Sequence, residues 1–225
     1  MSTTFFVTGT DTEVGKTAVS CALLYAARLA GLTTAAVKPV AAGCDEEGHN
    51  DDALALQAAM TLALPYAQIN PVALQPAIAP HIAAAQAGRS LSADRLAGLC
   101  RGVMHTGADL VLVEGAGGWR VPLGSRETLA DVAINLGVDV ILVVAMRLGC
   151  INHALLTAEA IRADGLRLAG WVANQPGATM ACHAENLDTL QRLLPAPLLG
   201  EVPFLSPFDP ELASQYIDIK ALLEK

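Results

Sequence analysis

The sequence predicts an α/β fold: a single domain whose mostly parallel, doubly wound sheet carries helices on both faces. Three observations predict it. Short runs rich in Val, Ile and Leu are continuously apolar, as in strands covered on both sides. They alternate along the chain with Ala/Leu-rich stretches of helical length. Of 225 residues, 53% are hydrophobic and only 16% charged, enough to build a large core and too few charges for a disordered chain.

The elements follow in order. Residues 5–8 (FFVT) read as a first strand. Residues 16–30 read as a helix ended by Gly31, since glycine accepts the left-handed position after a helix. Residues 34–40 read as a second strand, with Pro39 near its end. Residues 51–59 read as a helix opening on Asp51 and Asp52, where the helix dipole favours acids. Residues 62–88 contain Pro65, Pro71, Pro76 and Pro80 without a clear period, and read as a long irregular connection. Residues 92–105 form a helix with Ser92 as N-cap. Residues 109–114 are a buried strand running into Gly115-Ala116-Gly117-Gly118. A short helix at 128–136, a buried strand at 138–145 and a helix at 152–163 closed by Gly165 come next. The strand 168–173 ends at Asn174. A helix near 182–194, a short strand near 198–200 and a last helix near 211–223 complete the chain. No repeat and no linker interrupts residues 1–225, which read as one domain.

Charge and composition narrow the function. A net charge of −8 argues against nucleic acid and anionic membrane as partners. The purest apolar stretch, residues 140–146, falls far short of the roughly 20 residues of a spanning helix. The opening residues MSTT show no export signal, so a cytoplasmic location is expected. The five cysteines are scattered and form no CxxC, which suits reduced thiols acting as small hydrophobes. The histidines show no HxxxH, which argues against structural zinc.

In this architecture ligands bind beyond the carboxyl ends of the strands. After the first strand comes GTDTEVGKT, residues 9–17. Strand, glycine-flanked loop and Gly-Lys-Thr opening a helix form a phosphate-binding loop, so the fold expected is P-loop NTPase-like. Lys16 would reach the β- and γ-phosphates, and the Thr17 hydroxyl would hold Mg²⁺. Five residues separate the glycines where the usual pattern has four. Glu114 ends a buried strand, a position suited to Mg²⁺ held directly or through water. Gly115, Gly117 and Gly118 would let backbone approach phosphate closely.

Other positions leave two readings open. Lys38 is either a cation in the same crevice or a solvated lysine. Asp51 and Asp52 either supply a Mg²⁺ contact or favour a helix start. Gly149, Cys150, Ile151 and Asn152 open a helix, as an anion site or with Asn152 as a simple N-cap. Cys150 and His153 make at most two ligands of a metal pair. Asn174 offers a donor and an acceptor that match an adenine edge, and no carboxylate follows to pair a guanine, which favours ATP over GTP. His81 reads as a loop residue.

Residues 9–17 resemble the N-terminal signature of the dethiobiotin synthetase family, including the five-residue spacing. The resemblance continues through KPV at 38–40, DDALAL at 51–56, APH at 79–81, VEGAGGW at 113–119, LGCINHA at 148–154, GWVAN at 170–174 and PAPLLG at 195–200. It spans nearly the whole chain in order. It implies a homodimeric ligase dependent on ATP and Mg²⁺, with 7,8-diaminononanoate and CO₂ as substrates. An amine captures CO₂ as a carbamate, ATP phosphorylates the carbamate, and the second amine closes a cyclic urea.

The resemblance also implies residue roles. Thr17, Asp52 and Glu114 hold Mg²⁺. Thr12 and Lys38 meet the diamine or its carbamate, with Lys16 and Lys38 neutralising charge. Glu13, Val14, Gly15, Lys16 and Thr17 wrap the phosphates, beside Gly115, Ala116 and Gly117. Asn174 with Pro203, Phe204 and Leu205 contacts adenine. Gly149, Cys150, Ile151 and Asn152 receive the substrate carboxylate across the dimer interface. Ala42 stands where family members carry a hydroxyl residue against substrate, a difference of about 0.5–1.5 kcal/mol for one neutral hydrogen bond. Two alternatives share the loop: a related P-loop ligase with another substrate, and a nucleotide-switched positioning ATPase. The first usually carries an extra glutaminase domain, for which this length leaves no room. The second calls for a basic DNA-binding surface or an amphipathic basic tail.

Overall fold

The computed structural model describes residues 2–223. Strand β1 (Thr3–Gly9) leads into helix α1 (Lys16–Leu29), then β2 (Thr34–Val37), β3 (Ala41–Ala42) and α2 (Asp51–Ala59). Next come α3 (Tyr66–Ile69), β4 (Ala73–Leu74), α4 (Pro80–Gln86), α5 (Ala93–Met104) and β5 (Leu110–Glu114). The chain continues through α6 (Leu129–Leu136), β6 (Asp139–Ala145), α7 (Cys150–Ala163) and β7 (Leu168–Asn174). It closes with α8 (His183–Leu193), β8 (Leu198–Val202), α9 (Pro210–Ser214) and α10 (Ile219–Leu223).

The main sheet has six strands in the order β2-β5-β1-β6-β7-β8, with every pairing parallel. This is the predicted architecture. Alternate side chains of each strand enter different cores, as the two-residue period of a pleated strand requires. Phe6, Val111 and Val113 join the core that includes Leu96, Leu129 and Ile161 of α5, α6 and α7. Phe5, Val7, Leu110 and Leu112 join the core that includes Leu23, Leu56 and Ala213 of α1, α2 and α9. Strand β1 therefore lies between β5 and β6 with helices over both faces. Its carboxyl end and that of β5 open side by side, Val7 in register with Glu114.

Several boundaries differ from the sequence reading. Residues 62–88 are structured: α3, β4 and α4 lie there, and β4 pairs with β3 in a separate two-stranded parallel sheet. These pieces are too short to display a period, and Pro80 starts α4 as its first residue. The second strand stops at Val37, after which the Lys38 amide donates to the Ile69 carbonyl outside the sheet. Helix α7 begins at Cys150 behind left-handed Gly149, so Asn152 lies inside the first turn and is not its N-cap. The last helix is broken in two. Between its halves Ile217 bridges to Gly200, and the Asp218 amide donates to the Leu199 carbonyl at 2.7 Å. Ser92 does cap α5, accepting from the Arg95 amide. Among the described residues no helix is long and apolar enough to cross a membrane.

Candidate active site

The loop between β1 and α1 carries the sharpest local conformation. Gly15 sits at φ 87°, and Glu13 at φ 58° is a non-glycine residue in the left-handed region. A Cβ on Gly15 would lie 2.1 Å from Asn174 Nδ2, so space and backbone both call for glycine. No side chain caps α1, leaving its first amides free at the positive end of the helix dipole. Val14 is fully buried beneath the loop.

Lys16, the first residue of α1, is 8% exposed, and its ammonium donates to the Asp11 carbonyl at 3.0 Å. Burial lowers its pKa to about 8, with nearby Lys38 acting in the same direction and Glu114 and Asp52 opposing it. Thr17, one residue on, donates its hydroxyl to Glu114 Oε1 at 2.8 Å.

Glu114 closes β5 with no exposed surface. Its Oε1 also accepts from Lys38 Nζ at 2.8 Å, while its Oε2 is buried with no hydrogen-bond partner among the described residues. Lys38 reaches Asp52 Oδ2 as well, at 2.8 Å. The Lys38 backbone is held on both sides, by the Ile69 carbonyl and by the Asn70 side chain. Burial opposes the charge on Lys38, but Glu114 and Asp52 outweigh it and hold its pKa above the ordinary lysine value. For Asp52, burial is likewise outweighed, here by Lys38, and its pKa falls below the usual carboxylate value. Asp52 is placed by α2, whose N-cap Asn50 accepts from the Ala53 amide.

Lys38 is therefore a buried cation of the crevice, and the surface-lysine reading is excluded. Asp52 joins it, whereas Asp51 points to solvent. The donor set suits a hard divalent cation: a hydroxyl, a half-exposed carboxylate and a carboxylate with one buried unpartnered oxygen.

A cavity of about 860 Å³ opens above these groups. Thr12, Glu13, Gly15, Lys16, Thr17, Lys38 and Asp52 line it, with Ala42, Ala116 and Gly117. The glycine run is packed on the phosphate loop: a Cβ on Gly117 would come 3.5 Å from Thr12 Oγ1, and one on Gly118 3.6 Å from the Gly9 carbonyl. A Cβ on Gly115 would meet the Phe6 ring at 3.1 Å.

Two walls escaped the sequence reading. Residues 77–80, leading into α4, form one, and Arg120, Val121 and Pro122 form the other. The resemblance touches only Ala79 and Pro80 of the first and assigns no role to either wall; only tertiary packing brings them to the loop. His81 lies on α4, not in a loop, with its Nδ1 buried and unpartnered among the described residues.

Other predicted residues lie outside this cavity. Asn174 ends β7 below the loop, donating to the Val14 carbonyl at 2.9 Å. Pro203, Phe204 and Leu205 follow β8, with Phe204 exposed. Gly149, Cys150, Ile151 and Asn152 open α7; Cys150 is buried and Asn152 exposed.

A protein-family model described as an AAA domain matches residues 3–212. The ATP-dependent dethiobiotin synthetase BioD of Marinobacter nauticus is 57% identical, covering 98% of each chain. The enzyme of the same name from Cellvibrio japonicus is 60% identical, covering 98% of this chain and 97% of its own. The MinC:MinD cell division complex of Aquifex aeolicus shares the fold, with a TM-score of 0.59, 14% identity and coverage of 98% and 94%. So does a ParA family ATPase of Chlorobium tepidum, with a TM-score of 0.56, 13% identity and coverage of 100% and 93%. At such identities the likeness extends to the P-loop fold alone.

Proposed function

Because the chain belongs to the ATP-dependent dethiobiotin synthetase family, we propose that it closes 7,8-diaminononanoate and CO₂ into the cyclic urea of dethiobiotin, converting ATP to ADP and phosphate. The observation that carries the reading is the Thr17–Glu114–Lys38–Asp52 cluster, with Glu114 and Lys38 buried, beneath the phosphate-loop cavity. It sets a fixed cation and carboxylates where a phosphoryl group would transfer.

One amine adds to CO₂ and, losing a proton, becomes a carbamate. A carbamate oxygen then attacks the γ-phosphorus, the bond to the β-bridging oxygen breaks, and ADP leaves. The second amine attacks the carbonyl of the resulting mixed anhydride, and phosphate departs as the five-membered ring closes. Such chemistry asks for positioning and charge neutralisation more than for a protein nucleophile. The free amides of residues 13–17 bind phosphate oxygens at the start of α1. Lys16 and Lys38 balance charge that builds on the transferring group and the carbamate. Lys38 is kept protonated by Glu114 and Asp52, so it acts as a fixed charge and does not serve as a base.

Thr17, Asp52 and Glu114 would hold Mg²⁺, which neutralises phosphate charge when bound; the unpartnered Glu114 Oε2 supports this. Thr12 and the Ala42 wall would meet the diamine, with Ala42 forgoing one hydrogen bond. Gly115, Ala116 and Gly117 would flank the phosphates. Asn174, with one amide hydrogen and its carbonyl left over, would meet adenine beside Pro203, Phe204 and Leu205.

We also infer a homodimer. The amides of Ile151 and Asn152 at the start of α7 suit the substrate carboxylate, while that of Cys150 donates to the Arg147 carbonyl; all lie outside the cavity of their own chain. An extended nine-carbon substrate reaching from one chain to the α7 start of another reconciles the two. The cysteines are all unpaired, which supports work in the reducing cytoplasm.

The deciding experiment measures ADP release with Mg²⁺-ATP and bicarbonate, with and without the diamine, and weighs the product by mass spectrometry. Diamine-dependent ADP with a cyclic urea is the expected result. Nucleotide binding without diamine-dependent turnover would refute this substrate.

A further inference from the structure

Asp164 stands directly after α7, at its C-cap. A carboxylate there faces the negative pole of the helix dipole, so helix capping gives no reason for it. Its oxygens instead receive three donors. The Trp119 indole N–H donates to Oδ2 at 2.7 Å. Arg120 grips the carboxylate as a fork, Nη1 to Oδ2 at 2.8 Å and Nη2 to Oδ1 at 2.9 Å. The Asp164 side chain is only 15% exposed. Paired guanidinium–carboxylate bonds of this kind are strong and fix orientation as well as distance.

Both partners lie where the glycine run leaves the phosphate loop. Trp119 is buried edge-on against Phe6 of β1, ring centroids 6.0 Å apart. Arg120, Val121 and Pro122 then form a cavity wall. The other end of the segment is anchored separately, the Gly115 amide donating to the Val7 carbonyl at 2.9 Å. Since both Nη atoms of Arg120 are spent on Asp164, the wall carries a neutralised charge beside Lys16 and Lys38. A free guanidinium there would compete with those lysines for the anionic groups of ligands.

We propose that Asp164 is a positioning residue for the diamine: by clamping Trp119 and Arg120 it sets the Arg120–Val121–Pro122 wall against which the substrate's methylene chain lies. This rests on the ligase reading above. The clamp fixes Trp119 and the wall, whereas the glycine run beside the phosphates has its own anchor at the Gly115 amide, so the clamp acts on the diamine more than on ATP.

Steady-state kinetics of Asp164→Ala, Arg120→Met and the double variant test it. Each single variant raises the diamine KM about tenfold, with the ATP KM within about twofold, in line with the cost of a misplaced binding wall. The double variant is no worse than Asp164→Ala, because both changes break one unit. Arg120→Lys, which keeps the charge but cannot form the fork, falls between. A wild-type diamine KM in either single variant, equal rises in both KM values, or additive losses in the double variant would overturn the proposal. Arg120 is half exposed, so its variants report even if Asp164→Ala fails to fold. Wild-type protein with no diamine-dependent ADP release sinks the ligase reading itself, and this inference with it. Normal wild-type turnover with unaltered variants sinks the inference alone.

Discussion

At the scale of single residues, the site is an arrangement of mutually dependent charges. Glu114 has no exposed surface and shares a 2.8 Å bond with Lys38. Lys38→Ala leaves that carboxylate uncompensated, and breaking such a buried pair costs about 3–5 kcal/mol. Chemical denaturation of the variant should show this loss, and its turnover should fall roughly 10²-fold or more. Near-normal turnover in a folded Lys38→Ala protein would remove Lys38 from the mechanism. Lys16 sets a pH dependence. Its pKa of about 8 means the unliganded protein loses this charge as pH rises through that value. ATP binding should therefore weaken above about pH 8, while Lys16→Ala binds weakly with a flat profile; calorimetry across pH reads both. For folding, the same lowered lysine pKa gives the opposite slope. The charge is a burden below about pH 8, and that burden lifts toward the ordinary lysine value of 10.5. Asp52 works the other way. Its depressed pKa adds stability above the usual carboxylate range, lost as acid titrates it through its lower folded value.

At the scale of elements, the long and periodic pieces were legible and the short ones were not. α2 runs Asp51–Ala59 as read, because its acidic start is a local signal. So is the cap of α5. Ser92→Ala should lower stability by about 1 kcal/mol, read as a lower melting temperature with unchanged kinetics. β3 and β4 have two residues each, and no local signal foretells that they pair with one another. The break between α9 and α10 was equally hidden, since the Ile217 bridge to β8 exists only once the sheet edge has formed. Gly200 makes that approach feasible: a Cβ there would lie 1.9 Å from the Tyr216 carbonyl. Gly200→Ala should cost about 1–3 kcal/mol as an overpacked contact, with the loss seen in thermal unfolding.

At the scale of the whole molecule, α7 joins two regions of the chain: its start offers free amides, and its end holds the wall clamp. Beside its start, Leu148 is 94% exposed. In the homodimer proposed above, a leucine beside the α7 start would lie at the interface, so Leu148→Glu should shift sedimentation toward monomer and raise the diamine KM. A dimer with an unaltered KM would count against substrate binding across that interface. The sequence by itself determined the parallel sheet, the phosphate loop and the family, because buried strands, a glycine-flanked turn and a helix start leave continuous local signatures. It named Lys16, Thr17 and Glu114 for the same reason: each ends or opens an element whose type was evident. The resemblance singled out Asp52 over Asp51; only the tertiary structure decided that Lys38 is buried, that it bonds to Asp52, and that Arg120 and residues 77–80 wall the cavity. Those facts depend on residues far apart in the chain meeting at the carboxyl ends of β1 and β5. Burial and electrostatic partnership are properties of that meeting, and no local pattern encodes them.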